Sequence, residues 1–247
     1  MSSERGTDFR LKAEATQSHP THARGFHLQA EDLLAWQLAD SAFPTGGFAH
    51  SGGLEAAWQS GEIPNLTALE AFAVAVLEQT GHGTLPLLNV AYAAPSRFDE
   101  LDQLADMFLT NPVANRASRV QGRALAATAA RIWADQPVSL VAARVEAGIG
   151  HQGPVMGAVF AAMHLPLAVA QQVCLYTAVR GVLSAAVRLG IAGSYESQRL
   201  QHDLGRSIAA VADRARDFDE RDLAQTAPVV DVLQAAHDRL YSRLFQS

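Results

Sequence analysis

Residues 166–190 read PLAVAQQVCLYTAVRGVLSAAVRLG. Pro166 suits a helix start, where the first N–H groups have no partner anyway, and Gly190 suits its end. Between them Leu167, Val173, Leu175, Tyr176, Val179, Val182, Leu183 and Val187 wrap most of a helical circumference. Arg180, Ser184 and Arg188 form one narrow polar strip at intervals of four. A helix apolar nearly all round belongs in the middle of a packed body. Its strip is expected to pair with buried carboxylates or to face a second protomer. Gln171, Gln172, Arg180 and Arg188 interrupt the run, whereas a membrane span needs roughly 20 mostly uncharged residues.

Working outward, apolar periodicity near 3.6 recurs on both sides, and no Val/Ile/Thr run alternates with polar residues between turn pairs. The expectation is an all-α fold, one helical-bundle-like domain of about ten helices without significant sheet. Residues 28–226 form that domain and residues 1–27 read as a flexible tail, with His19, His22 and His27 at no metal-ligand spacing. Start signals are expected at Ser51, Thr67, Thr84, Ser96 and Asn111, with Pro137 separating two helices. Residues 193–218 read as one helix. Residues 227–247, APVVDVLQAAHDRLYSRLFQS, read as an amphipathic C-terminal helix, either docked on its own body or partner-binding, a choice that amphipathicity alone does not make. Val229, Leu233, Leu240 and Leu244 form its stripe, Tyr241 and Phe245 flank it, and Arg239 and Arg243 project together.

Composition narrows the function. In 247 residues, 49% are apolar and 18% charged, which excludes disorder over most of the length. The net charge of −6 offers no global attraction to nucleic acid or anionic membrane. Cys174 is the single cysteine and the N-terminus has no secretory pattern, so a cytoplasmic protein is expected. The only lysine is Lys12, in the tail, which argues against a phosphate-loop nucleotidase or a Schiff-base enzyme. Histidine spacing gives no metal site.

Residues 40–58, DSAFPTGGFAHSGGLEAAW, are what composition does not explain. The pairs Gly46-Gly47 and Gly52-Gly53 bracket Phe48, His50 and Ser51, more glycine than one chain reversal needs. A nucleophile elbow requires a preceding strand and different spacing, so Ser51 reads as an N-cap. Gly52 and Gly53 would also let an anion approach free N–H groups, the basis of an alternative reading as an enzyme or anion-binding module. A third reading makes Pro44, Gly46, Gly47 and Phe48 an exposed apolar knuckle for protein contact, against the plainer one that Phe48 enters its own core. Glu55 near a helix N-terminus is favourable with no function at all. Arg116, Arg119 and Arg123 share one helix face, either solvated or meeting an acidic partner.

The stretch LLAWQLADSAFPTGGFAHSGGLEAAW resembles the N-terminal signature of the urease accessory protein F family, UreF. Matches continue in order through Arg116–Arg123, the Gly150-His151 to Pro154 segment, SAAVRLG and the terminal APVVDVLQAAHDRLYSRLF. The resemblance implies an all-helical homodimer that is not an enzyme and binds no permanent cofactor. It implies a helper in nickel insertion that joins a scaffold accessory protein (UreD or UreH) and the GTPase UreG, the complex acting on urease apoprotein and handling nickel transiently. Carried onto this chain, Phe48 with His50, Ser51 and Glu55 belongs to a GTPase-facing surface. Arg243 is the family's C-terminal arginine, in a segment that orders when the scaffold binds.

Overall fold

The computed structural model describes residues 30–247, with side chains from Asp32 onward; the expected tail lies outside the described residues. Twelve α-helices follow one another, with no strand among the described residues: α1 (Ala30–Ala39), α2 (Leu54–Gln59), α3 (Leu66–Gly83), α4 (Leu85–Ala93), α5 (Phe98–Phe108), α6 (Pro112–Ile132), α7 (Gln136–Ala147), α8 (Gln152–Ala162), α9 (Leu167–Arg188), α10 (Ser194–Asp203), α11 (Gly205–Arg214) and α12 (Pro228–Ala236). The all-α expectation is met.

The long apolar helix is central. Leu175, Val179, Leu183 and Ala186 of α9 are buried, and α1, α3, α4, α8, α10 and α11 pack around it. Its polar strip makes no ion pair with a carboxylate among the described residues, contrary to one of the two expected partners; Asp40 acts on Arg180 only through space. Arg180 donates to the Ala39 carbonyl at 2.6 Å, and Arg188 donates to the Phe48 carbonyl. The guanidinium thereby satisfies an acceptor left over at the end of α1. Burial lowers the pKa of Arg180.

Several boundaries differ from the sequence expectation because side chains compete for the same backbone donors. Asn65, not Thr67, caps α3 by accepting from Ala68 N. Asp135 caps α7, so Pro137 sits inside its first turn rather than before it, where its missing N–H costs nothing. Asn111 caps α6 as expected. The helix expected over residues 193–218 is two, interrupted at Leu204.

Two buried polar networks tie loops to this body. Gln171 donates to Asn89 Oδ1 at 2.8 Å, and Asn89 donates to the carbonyls of Ala215 and Phe218, fixing the end of α11. Asp102 accepts from the N–H groups of Ile149, Gly150 and His151 at 2.7–2.9 Å, folding the second glycine-rich break around one carboxylate. His151 beside it bridges Ser118 and Asp106. Gly122 lets α6 lie against this loop, since a Cβ there would fall 2.2 Å from Gly150 O.

Candidate functional site

The signature loop and the C-terminal residues form one structure. The loop begins with Phe43 buried against Trp133, ring centroids 5.9 Å apart, and Thr128 donates to the Pro44 carbonyl at 2.9 Å. Gly46, Gly52 and Gly53 all take left-handed backbone (φ 75°, 61° and 92°), and Gly47 lies against Gln121. These glycines coil residues 43–53 on the flank of α6 and deliver the chain into the short helix α2. At Gly53 the need is double. The backbone is left-handed, and a Cβ would come within 3.1 Å of Gln234 on α12.

The C-terminal helix expected over residues 227–247 stops early. α12 ends at Ala236, residues His237–Arg239 make a 3-10 turn, and residues 240–247 run as an irregular arm back across the loop. The reason is visible in its partners. Leu244 N and Phe245 N donate to Glu55 at 2.6 and 3.1 Å, and Gln246 N donates to Ala49 O at 2.8 Å. Ser51 N donates to the Ser247 main-chain oxygen at 2.6 Å. Bonds to the loop replace the helical ladder. The supposed apolar stripe is redistributed accordingly: Val229 and Leu244 are exposed, while Leu233 packs on the core and Phe245 is buried.

Glu55 is the keystone. It is 2% exposed and receives three donors, the two arm amides and His237 Nε2 at 3.1 Å, with His237 itself fully buried. Carboxylate oxygens removed from water need such donors, because unmet acceptors in the interior are costly. Glu55 lies in the first turn of α2, as expected from its position near a helix N-terminus, but buried behind the arm and not on the expected partner-facing surface. Ser51, 2% exposed, is likewise behind the arm. It is not the cap of α2, whose N-cap position is Gly53, although Ser51 Oγ still accepts from Glu55 N at 3.4 Å. His50 is half-buried, with Nδ1 bonded to Ser247 Oγ. Burial, then Arg116 and His237, holds its pKa below the ordinary value. His50 Nε2 and His237 Nδ1 are buried without a hydrogen-bond partner among the described residues.

Phe48 is the large apolar side chain of this loop that reaches solvent, 66% exposed. It is neither tucked into the core nor free. The Arg188 guanidinium lies 3.8 Å from its ring centroid and 4.1 Å from that of Phe245. One arginine thus stacks on an aromatic from the loop and another from the arm, a cation–π clasp between segments about 200 positions apart. Nothing near Arg188 in the sequence announces this.

Of the arm's expected contact residues, Tyr241 is fully exposed and Arg239 is exposed. Arg243 reaches Asp238 at 3.5 Å, and Asp238 also pairs with Arg116 at 2.9 Å. Arg239 and Arg243 do not project together from a helix. Trp58 of α2, Val229 and Val232 of α12 and Leu244 of the arm are also exposed.

Chemistry is scarce. No group of three or more His, Cys, Asp or Glu among the described residues could hold a metal ion. Cys174 is buried, which pushes its thiol up to about 12, far from the thiolate that ligates metals. A cavity of about 1040 Å³ passes beneath the loop, with His50, Gln121, Gln152 and Arg188 on its walls. At the start of α2 the anion-site reading meets the arm itself, bonded to Ser51 and lying against Gly53. No helix among the described residues is long and apolar enough to cross a membrane.

A family model described as UreF matches residues 63–205. Urease accessory protein F of Oryza sativa is 35% identical over 237 residues, covering 93% of this chain and 90% of the relative. That of Arabidopsis thaliana is 36% identical over 220 residues (86% and 91%), and UreF of Rhodopseudomonas palustris 30% over 223 residues (87% and 90%). With its helical body and signature loop, the chain belongs to the UreF family of urease accessory proteins.

Proposed function

We propose that this chain is a non-enzymatic adaptor in the maturation of urease. It joins a scaffold accessory protein of the UreD/UreH kind to the GTPase UreG in the cytoplasm, works as a homodimer, and helps pass nickel to urease apoprotein as cargo. The observation that carries this reading is the clasp of Phe48, Arg188 and Phe245 over the Glu55 latch. It makes one rigid surface from two segments, and presents Phe48 and Tyr241 outward on it. Aromatic and arginine side chains held rigidly are what a protein interface uses as anchors, because little entropy remains to be lost on docking.

The exposed apolar side chains of α12 and the arm, Val229, Val232 and Leu244, support a partner there, since a lone soluble chain gains nothing by leaving such a group uncovered. The absence of a lysine from residues 13–247 supports leaving nucleotide chemistry to the partner. The test is co-purification of the chain with its cognate scaffold and GTPase, scored with urease activation in a strain lacking the gene. Expected are a ternary complex for wild type and its loss with Phe48→Ala or Arg243→Ala. Full urease activation without the gene, and no ternary complex, would remove the reading.

A further inference from the structure

The arginine row on α6 is a charge arrangement that the fold does not explain. Arg116, Arg119 and Arg123 line a shallow groove of about 270 Å³ together with the exposed Val120. Like charges at i, i+3 and i, i+4 on a helix repel, by about the few tenths of a kcal/mol that an opposite pair would gain. Two of the three are tethered. Arg116 holds Asp238 at 2.9 Å, and Arg123 donates to the carbonyls of Gly148 and Ile149 at 2.8 and 2.9 Å, near the end of α7. Carbonyls are dipoles, so Arg123 keeps its full charge facing the groove. Arg119, between them, makes no hydrogen bond or ion pair among the described residues; Asp106 and His151 feel its charge only through space.

The result is a preset positive groove with an apolar floor, on a chain whose net charge is −6. The arms of Arg116 and Arg123 are already ordered, so a partner would not have to immobilise them. Through Asp238 the row is continuous with Arg243 and the C-terminal arm.

We propose that this row docks an acidic protein surface: carboxylate side chains on Arg119 and its neighbours, flanking an apolar side chain seated over Val120. The inference rests on the adaptor reading, and the occupant is defined by the groove's own chemistry: a partner protein that presents carboxylates around one apolar side chain. A phosphate backbone would require a wider basic field than three arginines on an acidic chain, and it would have no use for the valine. Arg119 is the residue whose charge is free to be answered.

The test is assembly of the full chain with scaffold and GTPase, measured as equilibrium affinity at low and moderate salt. Arg119 is exposed, so Arg119→Glu should leave the circular dichroism and thermal midpoint as they are. Expected is a loss of affinity of about tenfold or more for Arg119→Glu at low salt, less for Arg119→Gln, with a shallower salt dependence in both. Unchanged affinity and salt dependence in Arg119→Glu would overturn the row while leaving the adaptor reading standing. Absence of a complex with the wild type would overturn both. Loss of self-association instead, seen by sedimentation velocity, would assign the groove to a second copy and overturn the proposal. Displacement of the wild-type complex by free phosphate, beyond the effect of an equal ionic strength of chloride, would do the same.

Discussion

At the residue scale, two side chains decide how the loop and the arm meet. Glu55 looks ordinary in sequence, an acidic residue in the first turn of α2, yet it is buried with three donors on it. Glu55→Ala is expected to lower stability by about 3 kcal/mol, since it strands two amides and an imidazole in the interior. Urea unfolding measures that loss, and amide exchange at Leu244 and Phe245 should accelerate in the same variant. Glu55→Gln should fall between, because the amide keeps one acceptor and places a donor against donors. Arg188→Ala is expected to cost about 1–2 kcal/mol, the worth of a part-buried cation–π contact. Its clearer signature is faster exchange confined to residues 240–247. A uniform acceleration across the body would show that Arg188 serves the core and not the clasp.

At the element scale, the contact of α6 with the second glycine-rich loop is the most demanding. Gly122→Ala places a methyl 2.2 Å from Gly150 O and 2.9 Å from His151 C, both backbone, so the helix must shift. Overpacking of this kind costs about 1–3 kcal/mol. Because Asp102 and His151 hold that loop in place, the strain is expected at the upper end and should appear as a lower thermal midpoint. The same element shows what periodicity reads poorly. Asn111 was legible as a cap because proline follows it, whereas Asp135 capping across Pro137 was not, because a proline inside the first turn and a proline before a helix look alike in sequence. α12 was legible to Ala236. Beyond that the arm's periodicity is genuine but its amides have better acceptors in the loop, and no local signal ranks the two.

At the scale of the whole molecule, stability should depend on pH through two histidines. Burial holds His50 and His151 below the ordinary 6.5. Unfolding releases each ring to bind a proton near that value, so the unfolded chain takes up more protons than the native one once pH falls below it. Thermal midpoints are therefore expected to be flat from pH 8 to 7 and to drop as pH falls through 6.5 toward the lowered native values. His151→Gln should start lower but decline less steeply over that interval; an unchanged slope would assign the acid sensitivity elsewhere. By itself the sequence determined that the fold is all-α, with residues 166–190 in a central helix and residues 40–53 bent by glycine, because helical period and glycine freedom are properties of a few neighbouring residues. Only the tertiary structure decided that Glu55, Arg188, His237 and Phe245 converge. Their partnership links positions as far as 190 residues apart, and such a contact is set by how helices pack, through burial and charge that no local pattern records.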